Sequence, residues 1–182
     1  KPNNLFNYSN VGYQTYFNAQ EEIKLFDSLF FDTCRLGKAK ELENIEPAFR
    51  NADIVSIDLG AVRQSEAPAN NNASPNGFYG DEICAIARYA GISDKVSSLG
   101  IYEYNYKYDN NHQTASLVAQ MIWYFIEGVN FRVKDYPFSG KENYQKFTVI
   151  MEDDDSLVFY KSNKTVRWWM EINILSDNKY KR

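Results

Sequence analysis

Ala52-Asp53-Ile54-Val55-Ser56-Ile57-Asp58-Leu59 is a short apolar run rich in β-branched residues. A run of this kind predicts a strand buried on both faces of a parallel sheet. It ends on Asp58, and residues 63–77 follow as a long connection rich in Asn, Ser, Ala and Pro. Loops of that length inside compact domains are usually functional or disordered. Ligands gather beyond the carboxyl ends of parallel strands, so Asp58 is the first site candidate on topology alone.

Working outward, residues 81–90 have helical spacing and meet Gly91, which is expected to close the helix. A β-like run over 96–104 comes next. A helix over 114–127 then follows, with Thr114 as its expected N-cap and Gly128 as its stop. Upstream, residues 10–17 read as a strand. Asn18 and Glu21 resemble a capping box in front of Ile23, Phe26, Leu29 and Phe30, and Gly37 is expected to end that helix. Strand and helix thus alternate, which predicts an α/β layered fold with a mainly parallel sheet.

Beyond Gly128 the pattern changes to two β-rich runs, 147–150 and 157–160, separated by the acidic turn Glu152-Asp153-Asp154-Asp155. A third run over 165–174 carries Trp168 and Trp169, which must face opposite sides of a strand. Together they predict a C-terminal antiparallel β appendage. The expected organisation is therefore residues 1–130 as the α/β portion and 131–182 as a β-rich extension of the same domain.

The chain has 182 residues, 44% of them hydrophobic, enough for one sizeable core. Its formal net charge of -4, with no dense Lys/Arg cluster, argues against nucleic acid as a partner. The apolar stretch over 116–126 is too short and interrupted for a membrane span, and no signal segment is visible. Cys34 and Cys84 lie unpaired in apolar helical patterns, as buried free thiols, which suits a reducing cytoplasm. The sequence opens on Lys1-Pro2-Asn3-Asn4 with no initiator Met, as either a domain or a fragment does.

The segment Ser56-Ile57-Asp58-Leu59-Gly60-Ala61-Val62, followed by Glu66-Ala67-Pro68 and Pro75-Asn76-Gly77-Phe78, resembles the third metal motif of the arginase superfamily (ureohydrolases). That motif runs Ser-Phe-Asp-x-Asp through an Asp-Pro and a Pro-Gly to Gly-Gly-Leu. Gly100-Ile101-Tyr102-Glu103-Tyr104-Asn105, with Asp109 and Thr114-Ala115, resembles the strand and helix start that come next. The likeness covers roughly residues 11–128, the C-terminal half of such a protein. Its Arg-Gln-Ser-Glu-Ala-Pro wording and paired Trp look most like the formimidoylglutamase-type branch found in Bacteroidetes.

The resemblance implies a three-layer arginase-like fold and a two-manganese centre whose bridging water attacks a guanidino or formimidoyl carbon. It also implies a homo-oligomer. By resemblance Asp58 is a metal ligand and Glu82 a substrate contact, while Asn70 and Asn72 belong to a loop suited to the α-amino acid end of a substrate. The same residues have plainer readings: Asp58 bonding backbone amides, Glu82 complementing a helix dipole, the Asn residues forming turns, Glu103 pairing with an Arg. Gly60 stands where the second Asp is expected, and Arg63 where the Asp of Asp-Pro is expected. The sole histidine, His112, matches no ligand position and reads as a solvated or capping residue. The other two motifs would precede Lys1. No residue is assigned a catalytic role, and two functions are expected: a C–N hydrolase inactive as this chain alone, or a non-catalytic interaction or ligand-sensing module.

Overall fold

The computed structural model describes residues 5, 7–135, 141–151 and 156–171. They fall into two compact units, drawn from residues 1–132 and 133–182. The opening Lys1-Pro2-Asn3-Asn4, the acidic turn 152–155 and residues 172–174 of the expected last strand lie outside the described residues.

The first unit holds two parallel ladders. Strand β1 (Ser9–Tyr13) pairs with β2 (Asp32–Arg35), and β3 (Ile54–Asp58) pairs with β4 (Ser98–Tyr102). The predicted first strand is cut short: after Tyr13 the chain turns through a 3-10 helix at Thr15–Phe17. Gly12 carries φ +88 beside a register shift, and a Cβ there would lie 2.4 Å from the Phe78 ring. A glycine is therefore required both by backbone and by packing.

Helix α1 (Gln20–Ser28) is present, but its start and stop differ from expectation. The Asn18 amide donates to the Gln14 carbonyl at 2.7 Å, and it is the carboxylate of Glu22, not Glu21, that accepts from a backbone N–H, that of Ala19. The helix ends well before Gly37, because Phe30 takes φ +56 and β2 begins. Sequence periodicity missed β2 because four residues are too few to show alternation. Gly37 lies instead in the short helix α2 (Leu36–Ala39), ahead of α3 (Glu46–Arg50). Cys34 consequently sits half-buried on a strand, whereas Cys84 is buried on a helix as expected. Burial raises the thiol pKa at both positions. In α1, Ile23 and Phe26 are half-buried, with Phe26 stacked on Tyr8 at 5.5 Å, while Leu25 and, just past the helix, Phe30 are exposed.

Strand β3 also departs from the two-faced burial predicted for it. Val55 and Ile57 point into the core, while Ile54 is 69% exposed and Ser56 and Asp58 are exposed with it. The covered face packs on Phe49, Ile83, Ile86, Ala87, Leu117 and Met121, which come from α3, α4 (Gly80–Ile92) and α5 (Gln113–Asn130).

The two expected helix stops are packing residues. Gly91 lies inside α4, and a Cβ on it would stand 2.2 Å from the Phe125 carbonyl oxygen of α5. Gly128 lies inside α5, and a Cβ there would stand 2.4 Å from the Arg88 carbonyl oxygen of α4. Only paired glycines let the two backbones approach this closely. Thr114 is likewise not a cap: it is fully buried in the first turn of α5, and its Oγ1 accepts from Ala69 N–H at 3.1 Å. Asp109 does the capping, with Oδ1 accepting from Thr114 N–H at 2.9 Å and Oδ2 from Ala115 N–H at 3.0 Å.

The second unit is a three-stranded antiparallel sheet, β5 (Tyr144–Ile150), β6 (Ser156–Ser162) and β7 (Trp168–Glu171), in the order β5-β6-β7. Trp169 meets Tyr144 edge-on at 5.7 Å, while Trp168 meets Phe147 at 5.0 Å. Alternation along β7 therefore separates the two indoles. Asp135, 2% exposed, accepts hydrogen bonds from the hydroxyls of Tyr144 (2.6 Å) and Thr165. Burial works to raise its pKa, but the bonds from Thr165, Tyr144 and Ser162 and the charge of Arg167 outweigh burial and hold it below the usual carboxylate value.

Gly91→Ala is expected to force α4 and α5 apart and lower stability by about 1–3 kcal/mol, read as a lower midpoint in urea. Gly37→Ala, with nothing within 4 Å of the new Cβ, is expected to leave that midpoint nearly unchanged. Because the folded-state pKa of Asp135 is depressed, its stabilisation is present above the unfolded value near about 3.9 and fades as pH falls below it. Asp135→Asn is expected to lower the thermal midpoint at neutral pH and to flatten its dependence on pH in the acid range, followed by tryptophan fluorescence.

Candidate functional site at the strand ends

Asp58 closes β3 and is exposed at its carboxyl end. Its side chain turns back to cap the 3-10 turn Leu59–Ala61, with Oδ1 accepting from Gly60 N–H at 2.7 Å. Gly60 does not occupy the left-handed region, so its backbone admits a side chain. A Cβ at position 60 would stand 3.0 Å from Asp58 Oδ1 and 3.7 Å from Asn70 Nδ2. Asp58, position 60 and Asn70 thus converge on one spot.

The 63–77 connection is ordered and partly buried. Arg63 bridges to Ser74 and Val62 to Phe78, and Ala67, Ala69, Asn70 and Ser74 are buried. The first turn of α5 holds it from outside: Ala69 N–H bonds to Thr114, and Gln113 Nε2 donates to the carbonyls of Ser65 (2.6 Å) and Glu66 (3.1 Å). Asn70 Oδ1 accepts from Asn72 N–H at 2.6 Å, a local turn that an Asn side chain makes readily. Asn72 itself is exposed. Asn71 Oδ1 accepts from Asn105 Nδ2 at 2.8 Å, tying the loop to the segment after β4.

Glu82 belongs to a separate cluster. Its carboxylate accepts from Tyr79 N–H at 2.8 Å, ahead of α4, and lies 3.6 Å from the Lys40 ammonium. Lys40 also lies 4.7 Å from the centroid of the Tyr79 ring, and the Arg63 guanidinium carbon lies 3.4 Å from it. Arg63 Nη2 donates to the Gly77 carbonyl at 3.3 Å, and its buried Nε has no hydrogen-bond partner among the described residues. The positive charge expected beside Asp58 is therefore spent on a ring and a carbonyl.

Lys40 and Tyr79 were invisible as site residues in the sequence, because they become neighbours of Glu82 only through folding. Glu103 takes φ +66 and makes no ion pair among the described residues. His112 is an exposed, left-handed residue at the N-cap of α5. Asp109 is held below the usual carboxylate range: partial burial opposes this, but Thr114 N–H, the Tyr104 hydroxyl and Ala115 N–H prevail, with His112 adding to them. Its bond in turn raises the Tyr104 phenol.

Comparison with known proteins matches residues 6–127 to the Arginase family. Formimidoylglutamase of Staphylococcus aureus is 28% identical over 117 residues, covering 63% of this chain and 37% of the relative. Among solved structures, Trypanosoma cruzi formiminoglutamase with Mn2+ superposes with TM-score 0.64 at 15% identity, over 68% of this chain and 45% of that one. Bacillus subtilis formimidoylglutamase gives 0.62 at 19% identity, over 69% and 42%. The chain thus spans less than half the length of these relatives. The likeness places an arginase-like α/β fold here, with the parallel ladders in the shared part and an antiparallel sheet after it. With the family's model matched over two thirds of its length, the chain belongs to the arginase family.

Proposed function

We propose that this chain is a non-catalytic arginase-fold module that binds ligands or partners, and that as it stands it does not hold a two-manganese centre. The observation that carries the reading is the geometry at position 60. A side chain there would meet Asp58, yet the residue is glycine, and Asp58 spends an oxygen on its backbone amide. Two divalent ions require several hard carboxylate and imidazole donors, with both ions needed to make a bridging hydroxide at neutral pH. Among the described residues no three His, Cys, Asp or Glu side chains cluster closely enough to hold an ion. The residues of this chain alone do not fit that group.

The remaining site residues support ligand contact without chemistry. Asn70 and Asn72 would offer amides near Asp58, while Glu82, in its own cluster, is already engaged by Lys40. The rival reading is a hydrolase of guanidino or formimidoyl C–N bonds. It draws on the similarity to S. aureus formimidoylglutamase and on the Asp retained at the strand end. Under it Asp58 is a metal ligand, Glu82 contacts the substrate, and the missing donors come from outside this chain. We place the protein in the cytoplasm, on its free thiols; no described helix is long and apolar enough to cross a membrane.

Manganese retained per chain after desalting, together with hydrolysis of arginine, agmatine and formimidoylglutamate, tests the proposal. The expected result is no retained manganese and no turnover for the native chain. In Gly60→Asp, a second carboxylate beside Asp58 is expected to tighten manganese binding by at least about tenfold. Stoichiometric manganese and turnover in the native chain would sink the non-catalytic reading.

A further inference from the structure

Strand β5 is an edge: in the order β5-β6-β7 no described strand pairs with its outer side. It is long for an edge, with seven residues matched to β6 one for one and no shift of register. Natural edges are blunted by brevity, charge, proline or a bulge, because an open row of N–H and C=O groups is a template for another strand. In Tyr144-Gln145-Lys146-Phe147-Thr148-Val149-Ile150 only Lys146 serves that end. Six of the seven residues are exposed, Ile150 to 75%. The strand lies beyond residues 6–127, the part of the chain matched to the Arginase family.

The residues of β5 suit a second β5. Antiparallel pairing of two copies follows a two-fold axis normal to the sheet. Such an axis keeps every side chain on its own face, so it passes through a residue and never between two. Through Lys146 it would set two ammonium groups directly opposite each other, which destabilises. Through Phe147 it pairs the whole strand: Phe147 meets its own copy, Lys146 meets Thr148, Gln145 meets Val149 and Tyr144 meets Ile150.

The register that uses the full length of the edge is thus also one that keeps its single charge from meeting its like. It places an aromatic pair at the centre, a favourable cross-strand contact. Hydrogen-bonded and open pairs alternate, so seven pairs supply about six to eight backbone hydrogen bonds, within the roughly 5–15 of a typical interface.

We propose that two copies of this chain associate through β5, antiparallel and centred on Phe147, into one six-stranded sheet. The seam is narrow, which places the dimer among weak, transient interfaces. The pairing does not depend on whether Asp58 holds a metal.

Sedimentation velocity of the full chain tests the inference, with a dimer expected to grow in between about 10 μM and 1 mM. Thr148→Lys sets like charges opposite each other twice across the seam and is expected to weaken the dimer by about threefold or more. Thr148→Glu sets opposite charges there and is expected to tighten it by a similar factor, an effect that fades as salt is raised. Thr148 is exposed, so both variants are expected to keep the native circular dichroism. Cα atoms of directly opposed residues lie within disulfide range, so Phe147→Cys is expected to form an interchain 147–147 disulfide on mild oxidation, located by peptide mass. Met170→Ser, on the face that carries Phe147 but on the far strand β7, is expected to leave the dimer unchanged. The inference is overturned if the chain stays monomeric up to about 1 mM, if the dimer ignores both charges at position 148, or if no 147–147 disulfide forms. Loss of the dimer in Met170→Ser with the Thr148 variants inert would assign it to stacked apolar faces and equally overturn pairing through the edge.

Discussion

The closeness of α4 to α5 is the constraint on which the first unit depends. At Gly91 and Gly128 each backbone occupies space that any Cβ would claim on the other helix. That approach seats Ile83, Ile86 and Ala87 together with Leu117 and Met121 on the inner face of β3. It also fixes where α5 begins. From that first turn Thr114 and Gln113 reach out to hold the 63–77 connection, and through it Asn70 beside Asp58. A helix crossing thus sets the geometry of a site several residues away from either glycine, because close-packed elements transmit position rather than absorb it.

At the strand ends, charge is handled by local compensation. Asp58 is satisfied by an amide, Glu82 by an amide and Lys40, and Arg63 by the Tyr79 ring and a carbonyl. Asp58 and Glu82 thereby finish a turn and a helix start, the common fate of charged residues at element ends. What distinguishes the place is the gap at position 60, where the backbone would present a side chain to Asp58 and glycine presents none. Arg35 differs from these groups in having, among the described residues, a hydroxyl, that of Thr15, for its hydrogen-bond partner.

The second unit shows the same economy with a buried acid. Asp135 gathers hydroxyls from Tyr144 and Thr165, on β5 and in the turn after β6, and its hydrogen bonds outweigh the effect of burial. A carboxylate so satisfied specifies where those segments sit, as fully bonded buried polar groups do.

Read alone, the sequence determined the alternation of strand and helix, the antiparallel character of the last third and the position of Asp58 at a strand end. Each rests on periodicity or on residue type, both local properties. Its motif words also carried the arginase likeness, together with the glycine at 60 and the arginine at 63. Tertiary structure alone decided the rest. Gly91 and Gly128, read as stops, became a crossing, since a glycine's lack of Cβ serves either purpose and only the neighbour reveals which. Thr114 exchanged capping for a bond to Ala69, Asp109 took the cap, and the four residues of β2 emerged only by pairing with β1. The Gln14–Asn76 amide pair and the meeting of Lys40, Tyr79 and Glu82 join segments far apart in the chain, and contacts of that kind have no signature in local pattern.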